Sequence, residues 1–418
     1  MNALRGIHRH PLVKRTALFS ASIGLSTIVG IFSIPILVSQ LGASLWAILA
    51  VFQSVCAFFA VFIAWGWGAT GPSIVAGLPV DERRQLYATS VVARVVLFVV
   101  AVPVAIVVGV LVTQESWLVA TLAALAYLLP GLSAAWFFIG TNRPIKLFLL
   151  DSLPVILGNI VGLVVVLIVP SLEAYLASIA VFSLVGVVAA NASASLSGPG
   201  AVVWRHSPRS LFDTYKSQLA GVTTTVTSSF YSSIPTVAVR LFAPQALEVF
   251  VMADRLYRYG VLVLAPILQS IQSWIPESGV AEAKRRSRQS LTIGIGIGVL
   301  GAVFLVIFAA PVSSLLTHGE VVVPLGLMVL MSIAFAGDAV AQVTGLAGLV
   351  ALGGSRQLAL SALFGTLAGS GLVLLGASMA SVFGSEPTAG AVGVAAAISL
   401  TCVGLATYRS AVLVRLAR

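Results

Sequence analysis

The residues best suited to chemistry in this 418-residue chain crowd into one stretch, Glu248-Val-Phe-Val-Met-Ala-Asp254-Arg255-Leu-Tyr257-Arg258-Tyr259. At about 100° per residue, with Asp254 taken as zero, Arg258 falls near 40°, Arg255 near 100° and Glu248 near 120° on a helix. All four thus share about a third of the circumference. Val251 lies inside that arc; Val249, Ala253 and Leu256 lie opposite it. Asp254 and Arg258, at i and i+4, are placed to neutralise each other. Arg255 is left either to snorkel outward or to meet Glu248 through water or a bound ligand. Guanidinium groups grip phosphate and carboxylate bidentately, so this arc predicts a wet, cationic surface for an anionic group.

The stretch before it is hydroxylated. Gln218, Thr223, Thr224, Thr225, Thr227, Ser228, Ser229, Tyr231, Ser232 and Ser233 stand in one segment that ends near Arg240. Such hydroxyls either bond the carbonyl one turn back or line a polar path, where they would bond the hydroxyls of a sugar. Thr224, Tyr231 and Arg240 are candidate contacts on that second reading. Arg94 and Asp338 also sit within apolar runs, Arg94 near enough to one end to snorkel and Asp338 mid-way. A mid-span carboxylate suits ion coupling or charge neutralisation, and Asp338, Asp254 and Glu248 are the candidates. Asp151 and Asn159 carry a weaker signal, since Asp151 lies near a surface.

About a dozen apolar runs must position these residues. The composition is 59% hydrophobic and 9% charged, with a mean hydropathy of +1.08, which excludes a soluble globular domain of this size. Runs of about 20 residues, enough to cross a bilayer, fall at roughly 16–38, 45–67, 87–112, 117–140, 147–169, 174–196, 217–241, 247–274, 291–314, 322–350, 358–380 and 389–412. Nineteen of the 23 basic residues occupy alternate gaps: Arg5, Arg9, Lys14 and Arg15; Arg83 and Arg84; Arg143 and Lys146; Arg205, Arg209 and Lys216; Lys284, Arg285, Arg286 and Arg288; Arg356; and Arg409, Arg415 and Arg418. Short basic loops stay cytoplasmic. The pattern predicts an all-α polytopic membrane protein with about twelve spans and both termini inside. Outer loops, such as 39–44 and 170–173, are short, leaving no room for a folded extracytoplasmic domain.

A weak repeat appears at an offset of 200 residues: Ser33-Ile34-Pro35 against Ser233-Ile234-Pro235, then Leu41 against Leu241 and Ala43 against Ala243. It predicts two six-helix lobes, residues 1–200 and 201–418, a transporter plan with the binding site between its halves. Pro35 and Pro235 would kink matching helices or serve as flexing points.

The net charge of +10 follows from the loop bias and implies anionic lipid headgroups, not nucleic acid, as the partner. His8, His10, His206 and His318 lie in the tail and loops, so no metal site is expected. No nucleotide, serine-hydrolase or paired-carboxylate motif is in context, and neither an enzyme activity nor a cofactor is expected. Cys56 and Cys402 sit within spans as packing residues. The Gly294–Gly301 run reads as a helix-packing surface. The basic N-terminus and its apolar run read as a retained first span, too long for a signal peptide.

Several motifs together resemble the Wzx-type polysaccharide-unit flippases of the multidrug/oligosaccharidyl-lipid/polysaccharide exporter superfamily. They are Ile34-Pro35 to Leu41-Gly42, Trp65-Gly66-Trp67-Gly68 with Gly71-Pro72, Trp136-Phe137-Phe138-Ile139-Gly140, and Ala253-Asp254-Arg255-Leu256 running to Pro266 and Pro276. The resemblance covers essentially the whole chain. It implies a MATE-like architecture in a bacterial inner membrane and outward movement of a polyprenyl-pyrophosphate-linked oligosaccharide by alternating access, for surface polysaccharide biosynthesis. It implies Arg94, Arg255 and Arg258 as cavity cations, and other polysaccharide-assembly proteins as partners. The chain departs from the family in its short outer loops and few lysines. An ion-coupled drug or small-molecule exporter of the same superfamily, a membrane glycan polymerase or ligase, and a scaffold built on a degenerate transporter fold are the alternatives. The first predicts acidic lobes and the second a large outer loop bearing Arg and His.

Overall fold

A computed structural model describes residues 11–196, 204, 207–275, 280–379 and 388–417, without the side chains of 11–23, 208, 220, 224, 273, 280 and 281. Arg5, Arg9, Arg205, Arg418, His8, His10, His206 and Pro276 therefore lie outside the described residues, as do the side chains of Lys14, Arg15 and Thr224. Every element among the described residues is helical. The chain divides into two compact units, Met1–Ser229 and Phe230–Arg418.

In the first unit, the helical run Pro11–Ala64 breaks only at Gly42, with φ 83° and ψ 157°. That backbone region is open to glycine alone. So α1 (11–41) and α2 (43–64) meet at one residue, where an outer loop of 39–44 was expected. Pro35 does not break α1, and the helix runs through it. A left-handed turn at Trp65 (φ 42°) and Gly66 (φ 75°) leads into α3 (Trp67–Gly77). α4 (Val80–Thr113) begins with Asp81 and Glu82 at its positive end. At 1.5 Å per residue its 34 residues span about 51 Å, well beyond a core of about 30 Å.

The expected span 117–140 is not one helix. α5 (Trp117–Leu128) gives way to a 3₁₀ turn at Leu129–Leu132, an extended Ser133, and α6 (Ala135–Gly140). α7 (Pro144–Leu147) and a π-turn at Phe148–Ser152 lead to α8 (Leu153–Ile168) and α9 (Leu172–Ser195). Next come the short amphipathic α10 (Pro208–Ser217) and α11 (Leu219–Phe242), which crosses the unit boundary.

The second unit continues with α12 (Leu247–Trp274), α13 (Val280–Leu316), α14 (Leu325–Gln342) with a π-turn at Val343–Leu349, α15 (Ser355–Ser378) and α16 (Ala389–Leu416). The glycine run of α13 does pack as expected. Cβ atoms at Gly294 and Gly298 would lie 3.2 Å from Val343 and 3.0 Å from the Ala336 carbonyl, and one at Gly301 would strike Phe335.

Apart from the broken 117–140, each expected span overlaps a helical run among the described residues. Nine stretches among the described residues are long and apolar enough to cross a membrane, the first of them holding the Gly42 break. α11 and α12 are not among the nine, because hydroxyls and charges lower their hydropathy. Those two helices hold every candidate site residue except Arg94 and Asp338.

Candidate functional site

On α12 the predicted i,i+4 pair forms. Arg258 Nε donates to Asp254 Oδ2 at 2.6 Å, and Arg258 Nη2 donates to the Ser232 carbonyl of α11 at 2.8 Å. The Asp254 side chain is 11% exposed and that of Arg258 44%. The carboxylate is thus sealed while the guanidinium stays half open. Arg255 is half-buried one residue on from Asp254, and Glu248 sits apart in the first turn of α12. Val251, within the same arc, is 2% exposed, so burial along this face is uneven.

Tyr257, which the sequence did not single out, joins α12 to Asp338 on α14. Its hydroxyl donates to Asp338 Oδ2 at 3.3 Å, and Gln342 Nε2 donates to the same oxygen at 2.8 Å. Arg409 corrects the loop-cation assignment. It is 8% exposed, with Nε on Ser361 Oγ at 2.9 Å and Nη1 on the Ala341 carbonyl at 3.0 Å, where α14 passes into its π-turn. A Cβ at Gly345 would lie 3.0 Å from Arg409 Nη1, so the bare glycine makes room for the guanidinium.

Four hydroxyls of α11, those of Thr223, Thr225, Thr227 and Ser228, follow the plainer of the two expectations. Thr223 bonds the Leu219 carbonyl at 2.8 Å, Thr225 that of Gly221 at 2.8 Å and Thr227 that of Thr223 at 2.5 Å. Ser228 bonds Thr225 and Ser229 reaches the Ala57 carbonyl of α2 at 3.3 Å. Pro235 does not interrupt the helix. Tyr231 is half-buried with its ring against Gly369 of α15, and Arg240 is half-buried in the last turn.

The first unit holds its own polar centre, built around the break after α5. Pro130 has no N–H, so the carbonyl of Ala126 four residues back loses its helical donor; Ser183 Oγ of α9 points to it at 3.5 Å. Asn191 Nδ2 of α9 donates to the Leu132 carbonyl at 3.1 Å. Arg94 Nη1 of α4 donates to the Ser133 carbonyl at 2.6 Å. Ser133 Oγ in turn donates to Asp151 and accepts the Ala135 N–H at 2.9 Å, starting α6. Irregular backbone at membrane depth is tolerated where protein groups satisfy it, and here three neighbouring side chains do so. Arg94 is 1% exposed, so it does not snorkel, and its Nη2 has no hydrogen-bond partner. A cavity of about 190 Å³ adjoins, lined by Pro130, Ser133, Asp151 and Ser183 among others. Asp151, a weak signal in the sequence, is therefore central.

The aromatic motifs pack beside this centre. Trp67 and Trp136 lie 4.9 Å apart between ring centroids and Tyr87 and Trp136 5.7 Å apart. A Cβ at Gly71 would lie 2.9 Å from Trp136 Cδ2. Tyr87 donates to Asn191 Oδ1 at 2.7 Å, which orients the amide that serves the break. Trp65 Nε1 donates to the Tyr215 carbonyl at 3.0 Å, and Tyr215 Oη to the Ala93 carbonyl at 2.8 Å. Next to Arg94, α10 thus clamps both the left-handed turn and α4.

No protein-family profile matches this chain, and no curated protein matches it. Solved structures do. The lipid II flippase MurJ in an inward closed conformation is similar at a TM-score of 0.71 and 12% identity, over 94% of this chain and 86% of that one. An inward-facing multidrug resistance MATE family transporter of the MOP superfamily is similar at 0.61 and 15%, over 93% and 95%. An outward-facing conformation of such a transporter gives 0.55 and 12%, over 97% and 96%. The fold is that of these transporters. The chain is an all-α, multi-pass membrane protein, and the likeness at these identities extends to architecture alone. Among the described residues no three His, Cys, Asp or Glu side chains group as metal ligands.

Proposed function

We propose that this protein is a flippase that carries a polyprenyl-pyrophosphate-linked oligosaccharide across the bacterial inner membrane by alternating access, for surface polysaccharide assembly. The observation that carries this reading is the α12 guanidinium pair, with Arg258 half open beside a sealed Asp254 and Arg255 half-buried next to it. Two guanidiniums suit a pyrophosphate, and the hydroxyl-rich α11 suits the sugars attached to it. Arg94, Arg240, Thr224 and Tyr231 belong to the same proposal as further contacts, and Asp254, Asp338 and Glu248 as its charge-balancing groups. The reading includes twelve crossings with both termini inside, no chemical conversion of the substrate, and other assembly proteins as partners. The fold similarity to a lipid II flippase supports it.

Arg255→Ala and Arg258→Ala are expected to abolish surface glycan display and accumulate lipid-linked units inside, with membrane insertion unchanged. Arg→Lys at either position retains part of the activity, since a point charge loses the bidentate geometry. Normal display from both alanine variants overturns the reading. One observation favours a second reading, an ion-coupled small-molecule exporter: Asp338 is held by Tyr257 and Gln342 inside the second unit, and MATE transporters share the fold. Proton- or sodium-driven drug efflux from reconstituted vesicles, with no effect on glycan display, would favour it.

A further inference from the structure

The second unit also holds a groove that none of the candidate contacts above lines. It lies between α15 and α16, encloses about 460 Å³, and is lined by Leu360, Phe364, Leu372, Leu400, Leu405 and Tyr408 among others. Small residues make it a groove: Gly365, Ala368, Thr401 and Gly404 form part of its wall, and a Cβ at Gly404 would meet no atom within 4 Å. From Leu360 to Leu372 it extends about 18 Å along α15 at 1.5 Å per residue. That is about half of a hydrocarbon core of roughly 30 Å, the depth of one leaflet.

One end is cationic. Arg356 lies one turn before Leu360 on α15, and Arg415 lies seven residues beyond Tyr408 on α16, close to the same face. Both are exposed. At the same end the buried Arg409 bonds Ser361 of the groove wall. No acidic residue lines the groove or occupies α15 and α16. An apolar slot one leaflet deep, with an exposed arginine beyond its end on each of its two helices, suits a lipid with an anionic head group.

We propose that this groove holds an anionic phospholipid of the cytoplasmic leaflet, with one acyl chain between α15 and α16 and its phosphate between Arg356 and Arg415. The site is independent of the transport reading and belongs to a resident lipid rather than to cargo.

The test uses the full-length protein in vesicles that contain trace phosphatidylglycerol or phosphatidylcholine with a photoreactive diazirine on one acyl chain. Crosslinks are mapped by mass spectrometry. The expected result is labelling at Phe364, Leu400 and Leu405 by the phosphatidylglycerol probe, weakened about fivefold for each of Arg356→Ala and Arg415→Ala. The phosphatidylcholine probe should label weakly and ignore those changes. Gly404→Phe should abolish groove labelling, whereas Gly296→Phe, at another glycine with open space on α13, should not; the pair separates groove filling from misfolding. Equal labelling by both probes, or labelling untouched by Gly404→Phe, overturns the proposal. Displacement of the probe by polyprenyl phosphate but not by unlabelled phosphatidylglycerol also overturns it, and assigns the groove to a carrier lipid.

Discussion

Arg94→Met tests whether the broken span depends on a buried guanidinium. Methionine keeps much of the apolar stem and removes the head group. The loss can be worked from the bonds. Arg94 is 1% exposed and donates to the Ser133 carbonyl at 2.6 Å and the Ser90 carbonyl at 3.2 Å. Ser90 lies within α4 and keeps its own helical donor, so that bond matters least. The Ser133 carbonyl stands at the break with no helical donor, and leaving it bare costs about 1–3 kcal/mol. Asp151, which accepts from the Ser133 hydroxyl, is coupled to Arg94 through that serine. The bare Ser133 carbonyl therefore sets the expected destabilisation at about 1–3 kcal/mol. Asp151→Asn is expected to cost less, since an amide still bonds the Ser133 hydroxyl. The double variant should fall short of the summed losses by about 0.5–3 kcal/mol, as contacting residues do. The assay is denaturant unfolding of the purified protein in one fixed detergent mixture, read by tryptophan fluorescence for all four proteins. A loss for Arg94→Met of less than about 1 kcal/mol would refute the reasoning, as would strict additivity with Asp151→Asn.

Gly66→Ala is expected to destabilise the first unit by at least about 1–3 kcal/mol, because its φ is 75° and a Cβ would lie 3.0 Å from the Gln218 carbonyl and the Val222 nitrogen; the same unfolding assay checks it. Asp338→Asn keeps the hydrogen bonds from Tyr257 and Gln342 but removes titration, so transport in reconstituted vesicles should lose its dependence on the ion gradient; wild-type rate and gradient dependence would make Asp338 structural. Reporter fusions at Ser44 and Pro170 should read as outside and a fusion at Lys284 as inside, and an inside signal at Pro170 breaks the twelve-span scheme.

The helices themselves were legible because bilayer crossing is a local property. Twenty apolar residues form a span regardless of their neighbours, and the flanking charges orient it. The Asp254–Arg258 pair was legible for the same reason, since i and i+4 meet on any helix. Its neighbours were not: Tyr257 reaches Asp338 across 81 residues of sequence, and no periodicity announces that meeting. Arg409 was misplaced because hydropathy cannot tell a cation in a loop from one on a helix that extends past the membrane, and its partners Ser361 and Ala341 lie 48 and 68 residues away. Asp151 was undervalued because its importance comes from the break at Ser133, where a proline and a 3₁₀ turn interrupt what composition reads as a continuous span.

The sequence by itself thus determined the class of protein, the placement of its helical runs and the two long helices less apolar than a span, since each rests on composition within a window of about 20 residues. Tertiary structure alone decided which buried charges are satisfied and by what. Arg94 of α4 and Ser183 and Asn191 of α9 converge on carbonyls that one broken segment leaves bare. In a medium without water every freed carbonyl must find a protein donor, and which donor arrives depends on how the helices pack.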